Sequence, residues 1–153
     1  MKRLALLGCI ILVFAACDDN ARSGNPVPYA PVQYTINITT EYPNFKKENG
    51  FAVLPAITKP RYDYEYVGYG GLLVWVAMDG EYHAADLCCP KCLNPTKPVT
   101  VDGIFAICPT CGEQYDISQG YNFPTKGKSQ YPLKTYSVQE QTYSVDTKLR
   151  ISN

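Results

Sequence analysis

The chain has 153 residues, with 14 basic and 14 acidic side chains and a single histidine. It carries no basic run or patch, which argues against nucleic acid as a partner. No paired carboxylates and no serine in a nucleophile-like turn point to hydrolysis, so no catalysis is expected of the isolated domain.

The first segment reads as a targeting signal. Lys2 and Arg3 precede an apolar run from Leu4 to Ala16, broken only by Gly8 and Cys9. These are the charged and apolar regions of a secretory signal. The run is too short for a spanning helix, which needs about 20 apolar residues. Phe14-Ala15-Ala16-Cys17 then resembles a lipobox, two small residues before a cysteine. Residues 1–16 are therefore expected to be a lipoprotein signal peptide that leaves with Cys9, and Cys17 becomes the lipidated first residue. The competing reading is an ordinary cleaved signal with a chance cysteine. The lipoprotein reading makes a membrane the partner through the lipid anchor. It places the protein in the bacterial cell envelope, periplasmic or surface-exposed. Without Lys2 and Arg3, twelve basic side chains face fourteen acidic ones.

Residues 17–28 are polar and rich in turn formers, with no helical or strand period, and read as a flexible tether. Residues 29–153 then form the domain, a length suited to one core. Thirteen tyrosines and twelve prolines favour short, punctuated strands. Val32 to Ile38 alternates and is β-branched, so it predicts a strand. Tyr42 to Asn49 is polar and suits a short helix or a turn. Phe51 to Leu54 is apolar and stops at Pro55. Tyr62, Tyr64 and Tyr66 point one way on a strand, and we take that face as part of the core rather than an exposed binding stripe. Gly68-Tyr69-Gly70-Gly71 is a tight turn. No Lys-Ser/Thr pair follows it, so it does not read as a phosphate loop.

Leu72 to Met78 predicts a buried strand. Asp79-Gly80 predicts a hairpin turn into Glu81 to Ala85. Val99 to Val101, a turn at Asp102-Gly103 and Ile104 to Ile107 make a second hairpin by the same logic. Leu133 to Val138 and Tyr143 to Ile151 close the sheet. No long 3.6-residue period runs through the domain. The expected class is all-β, as a sandwich or small barrel. His83 reads as a packed or surface strand residue rather than a ligand.

Five cysteines remain beyond the signal and the expected lipidation site, Cys17. Four of them form Cys89-Pro90-Lys91-Cys92 and Cys108-Pro109-Thr110-Cys111, with fifteen residues between. Two Cys-x-x-Cys turns at such a separation are a specific pattern for a tetrathiolate metal site. The two-residue spacer lets both thiolates of a turn face one ion, and two such turns complete a tetrahedron. Gly112 after the second turn lets backbone amides aim at the sulfurs. Four soft sulfurs suit zinc, iron or an iron–sulfur cluster. The alternative is disulfide bonding, which an oxidising envelope favours. Five cysteines cannot all pair, and Cys88 would be left as a small buried hydrophobe. A thiol-exchange pair needs a lowered thiol pKa, typically from a helix N-terminus. Residues 112–116 do not open a convincing helix.

The stretch from Gly68 to Ile151 resembles the Rieske iron–sulfur domain. The resemblance rests on a hairpin leading into Cys89-Pro90 and on a second hairpin leading into Cys108-Pro109. Gly112, Tyr115-Asp116, Gly120, Pro132-Leu133, Tyr136 and Val138 follow in order. It implies an antiparallel β-sandwich of small sheets with two cysteine-bearing loops at one tip. It also implies electron transfer, with a redox partner docking there. The departure is in the ligands, because Rieske centres use two cysteines and two histidines. Here Lys91 and Cys111 stand at the family's histidine positions, and His83 lies outside both loops. Only Cys89 and Cys108 match as ligands, so that cluster cannot form. Cys92 and Cys111 offer an all-thiolate site instead, for an iron–sulfur cluster, one iron as in rubredoxin, or zinc. The remaining alternative is a metal-free, disulfide-stapled scaffold or interaction domain.

Overall fold

The computed structural model describes residues 24–45, 47 and 50–153. The expected signal peptide and the expected lipidation site, Cys17, lie outside the described residues. Among those described, every regular element is a strand. In chain order they are β1 (Val32–Asn37), β2 (Phe51–Pro55), β3 (Tyr66–Val67), β4 (Gly71–Val76), β5 (Tyr82–Asp86) and β6 (Thr100–Asp102). They continue as β7 (Phe105–Ile107), β8 (Gln114–Asp116), β9 (Pro124–Lys126), β10 (Thr135–Thr142) and β11 (Thr147–Ser152). Seven of them form one sheet in the order β2-β4-β5-β10-β11-β1-β3, and β6 to β9 form a second, smaller sheet in sequence order. Every pairing is antiparallel. The all-β class, with two antiparallel sheets and cysteine-bearing loops, is the architecture the sequence predicts.

The strand β4 explains the division into two cores. Its sequence Gly71-Leu72-Leu73-Val74-Trp75-Val76 is apolar almost throughout, as a strand covered on both faces must be. Leu72 and Val74 join Val32, Tyr34, Ile36, Ala52, Leu54, Leu149 and Ile151 in the core of the large sheet. Ala52 and Leu54 come from one edge strand of that sheet, and Val32 to Ile36 from a strand near the opposite edge. The sheet therefore curls on itself. Leu73 and Trp75 project the other way and pack with Leu87, Cys89, Ala106, Cys108, Tyr115 and Leu133 beneath the small sheet. Ala84 and Ala85 of β5 divide in the same manner.

A buried carboxylate ties this wall to the start of the first cysteine loop. Asp86 is fully buried. It accepts hydrogen bonds from the backbone N–H groups of Tyr69 and Gly70 at 2.8 Å and of Cys88 at 2.7 Å. The Tyr136 hydroxyl adds a fourth at 2.7 Å. The glycine turn predicted at 68–71 is thus a cradle. Gly68 has φ of 81° and Gly71 of 108°. A Cβ at Gly70 would strike both the Asp86 carboxylate and the backbone N of Cys88.

Several expectations are corrected. Tyr62, Tyr64 and Tyr66 are about half exposed and are not core. Their segment is a loop running into the two-residue β3, and Glu65 is the buried member of the run, accepting the N–H groups of Arg61 and Tyr62. The second hairpin turns at Gly103-Ile104, because Asp102 pairs with Phe105. The last strand begins at Thr147, since Tyr143 to Asp146 is the turn after a longer β10, closed by the Tyr143 N–H on the Asp146 carbonyl. Of the helix or turn expected at Tyr42 to Asn49, the described part at 42–45 takes the turn. Docked chain also begins ahead of Tyr29. Val27 is buried, Asn25 Nδ2 donates to the Pro132 carbonyl at 2.8 Å, and Lys134 Nζ donates to the carbonyls of Val27 and Pro28.

Hydrogen bonds to a buried charge are among the strong ones, so the Asp86 cradle is testable. Tyr136→Phe should lower the unfolding free energy by about 1.5–3 kcal/mol, read from urea denaturation. A loss below about 0.5 kcal/mol, the level of an ordinary surface change, would contradict the role given to this bond.

Candidate metal centre

The two Cys-x-x-Cys segments form matching turns. The first lies between β5 and β6, the second between β7 and β8. In each, the N–H of the residue after the second cysteine donates to the carbonyl of the first. Leu93 donates to Cys89 and Gly112 to Cys108, both at 2.9 Å. In each, that residue takes a left-handed conformation, Leu93 with φ of 52° and Gly112 with φ of 71°. In each, backbone N–H groups beside the first cysteine favour its thiolate, those of Lys91 and Cys92 at Cys89 and those of Thr110 and Cys111 at Cys108. The N–H groups are aimed at the sulfurs because the chain must fold back within four residues. They draw negative charge off the thiolates they touch.

The four sulfurs converge. All lie within 4.8 Å of one another. Cys89 Sγ stands 3.8 Å from Cys111 Sγ, and Cys92 Sγ stands 3.8 Å from Cys108 Sγ. A tetrahedron with metal–sulfur bonds of about 2.3 Å has edges of about 3.8 Å. The short contacts thus match the edge of a one-ion site. A disulfide would need about 2.05 Å, and these five cysteines are all free thiols. A two-iron cluster divides its thiolates between two metals joined by bridging sulfides, so thiolates on different irons stand farther apart than one tetrahedral edge. The donor set and spacing fit one soft or borderline ion.

The two halves of the site differ in exposure. Cys89 and Cys108 are buried, while Cys92 and Cys111 reach the surface in part. Burial raises the Cys89 thiol pKa, and the Tyr115 hydroxyl and the two N–H groups work against that rise. Around Cys108 the burial is outweighed by its N–H donors and neighbouring thiols, so this thiol is lowered and ionises more readily. Burial also raises Cys92, and contacts with Cys111 and Cys108 add to it. Tyr115 is fully buried, and its hydroxyl lies 3.3 Å from Cys89 Sγ.

Cys88 stands apart from the four. It is buried, and its N–H is held by Asp86. Burial first, then the Asp86 charge and neighbouring thiols, pushes its thiol up to about 12. It packs as the small hydrophobe the sequence predicts. His83 sits on β5 with its ring 5.5 Å from that of Trp75, a packed strand residue outside the thiol cluster, as expected.

One residue of the site escaped sequence reading. Glu113 is completely buried. Burial alone would raise its pKa, but the Lys91 ammonium and the N–H groups of Lys128 and Ser129 outweigh it and hold the carboxyl near 2. An acidic residue after Cys-Gly carries no signal of this, because its partners come from separate loops.

No protein-family model matches the chain, and no curated protein matches it. Among solved structures it is similar to a ferredoxin of Sphingomonas yanoikuyae B1. The identity is 18%, the TM-score 0.41, and the match covers 82% of this chain and 99% of that one. A likeness at that TM-score adds nothing to the geometry above.

The matching turns give a prediction of opposite signs. A left-handed non-glycine residue costs about 1–2 kcal/mol, against about 0.5–1 kcal/mol of extra chain entropy for glycine. Leu93 is 40% exposed and loses little packing on truncation. Leu93→Gly should therefore leave stability unchanged or raise it by up to about 1 kcal/mol, while Gly112→Ala lowers it by about 1 kcal/mol. Denaturant unfolding of both variants checks this, and a clear loss in Leu93→Gly would contradict the strain at the first turn.

Proposed function

We propose that this chain is a lipid-anchored protein of the bacterial cell envelope whose β domain carries single electrons on one iron ion bound by Cys89, Cys92, Cys108 and Cys111. The observation behind this reading is the convergence of four thiols from two matching turns to the spacing of one tetrahedron. Iron in an all-thiolate tetrahedron supplies one-electron redox chemistry with no change of ligands. The protein's part is to hold that geometry rigid and to control the charge on the sulfurs. Four backbone N–H groups and the Tyr115 hydroxyl withdraw charge from the buried pair, Cys89 and Cys108. Cys92 and Cys111 form the exposed edge at which a redox partner would exchange the electron.

The anchor rests on the signal-like segment and on Cys17. After processing, the chain from Cys17 to the docked residue Asn25 would link the domain to the lipid.

Two measurements test this reading. Metal and acid-labile sulfide analysis of anaerobically purified protein should give one iron per chain and no sulfide, with visible thiolate-to-iron absorption. Cys→Ser at any of the four should abolish it, and Cys88→Ala should not. Zinc in place of iron would make the centre structural and overturn the electron-carrier reading. Two irons and two sulfides per chain would mean a two-iron cluster. No metal, with fewer than five titratable thiols, would leave a disulfide-stapled scaffold. For the anchor, Cys17→Ala should move the protein from the membrane to the soluble fraction, and a wild-type protein already soluble would contradict it.

A further inference from the structure

The loops around the thiols meet on a single ion pair. Lys91 Nζ, from the middle of the first Cys-x-x-Cys turn, lies 2.6 Å from Glu113 Oε1. Lys91 is 40% exposed along its side chain, and Glu113 is wholly enclosed. The same Oε1 accepts the N–H of Lys128 at 2.6 Å, and Oε2 accepts that of Ser129 at 2.9 Å. Glu113 also closes the second turn with its main chain, where its carbonyl accepts the Cys108 N–H at 2.8 Å. One residue thus joins the first turn, the second turn and the segment after β9. Gly127 lets that segment come close, with φ of 113° and no room for a Cβ against the carboxylate.

Charge gives the pair a second task. Four thiolates around a divalent ion leave a net charge of about −2. Glu113, two residues from Cys111, adds a further negative charge. Lys91, next in sequence to Cys92, brings the cation that pairs with Glu113 beside this site. Cys92 and Cys111, the two part-exposed ligands, are those an invading chelator would reach first.

Resting on the metal reading above, we propose that Lys91 and Glu113 are positioning residues that form a charge clamp retaining the metal. Glu113 fixes the loops, and Lys91 cancels the negative charge that Glu113 would otherwise set against the thiolates. The clamp therefore has an asymmetry that a simple brace lacks. Losing Lys91 alone leaves a buried carboxylate held only by the N–H groups of Lys128 and Ser129, with no cation to offset it beside an anionic site. Losing both charges together removes that repulsion, and breaking a buried pair is worse than replacing it whole.

The test is the rate at which zinc-loaded mature protein gives up its zinc to a colorimetric chelator. Cobalt-loaded samples of each variant show whether tetrahedral sulfur ligation persists. Lys91→Met should release zinc at least about tenfold faster with the cobalt spectrum unchanged, the scale seen when a residue behind a metal ligand is lost. Lys91→Arg should stay within about threefold of wild type, because it keeps the charge. Lys91→Met combined with Glu113→Gln should release zinc more slowly than Lys91→Met alone. Equal release by Lys91→Met and Lys91→Arg would overturn the clamp, as would a double variant faster than both singles. If Glu113→Gln does not fold, the Lys91→Met and Lys91→Arg contrast decides alone. Wild-type protein that takes up neither zinc nor iron would overturn the metal reading itself, visible before any variant is compared.

Discussion

Four cysteine sulfurs gathered within 4.8 Å of one another are a poor arrangement unless a cation draws them together. As thiols they are weak donors with little to bond. As thiolates they repel, and in a partly buried site that repulsion is strong. The pKa pattern carries the same tension. Cys89 and Cys92 are raised, Cys108 is lowered by the N–H groups trained on it, and Cys88 outside the cluster is raised to about 12. The rest of the tip can be read as the means of holding this arrangement. Two matching turns set the sulfurs, Tyr115 and four N–H groups spread their charge, and Glu113 binds the turns to a third loop.

The large sheet provides the platform. Because β4 is covered on both faces, Leu73 and Trp75 form the floor beneath the cysteine loops while Leu72 and Val74 fill the other core. The Asp86 cradle then fixes the point where β5 ends and the first loop begins, through the Cys88 N–H. Tyr136 and Gly70 are thus joined through one carboxylate to the residue before Cys89. The site and the fold are coupled at this carboxylate, although it touches no ligand sulfur.

Much of this was legible in the sequence, and the parts that were not share a cause. The run Leu72 to Val76 announces a strand buried on both sides, and Gly80 and Gly103 announce their turns. The cysteine spacing names the four thiols. Alternation in Tyr62, Tyr64 and Tyr66 suggests a strand face, but the segment is a loop and the three rings are about half exposed. The three-residue strands Gln114–Asp116 and Pro124–Lys126 are too short for a period to show. Glu113 is invisible because its partners, the Lys91 ammonium and the backbone N–H groups of Lys128 and Ser129, come from two segments distant in sequence. Sequence carries what side chains say about themselves, and it says least where a side chain answers to another segment's backbone.

The most direct test of the central claim is X-ray absorption at the metal edge of the loaded protein. A single ion on Cys89, Cys92, Cys108 and Cys111 should give one shell of about four sulfurs near 2.3 Å and no metal–metal scattering. A metal–metal vector, or a first shell containing nitrogen or oxygen in place of sulfur, would contradict the one-ion tetrathiolate site.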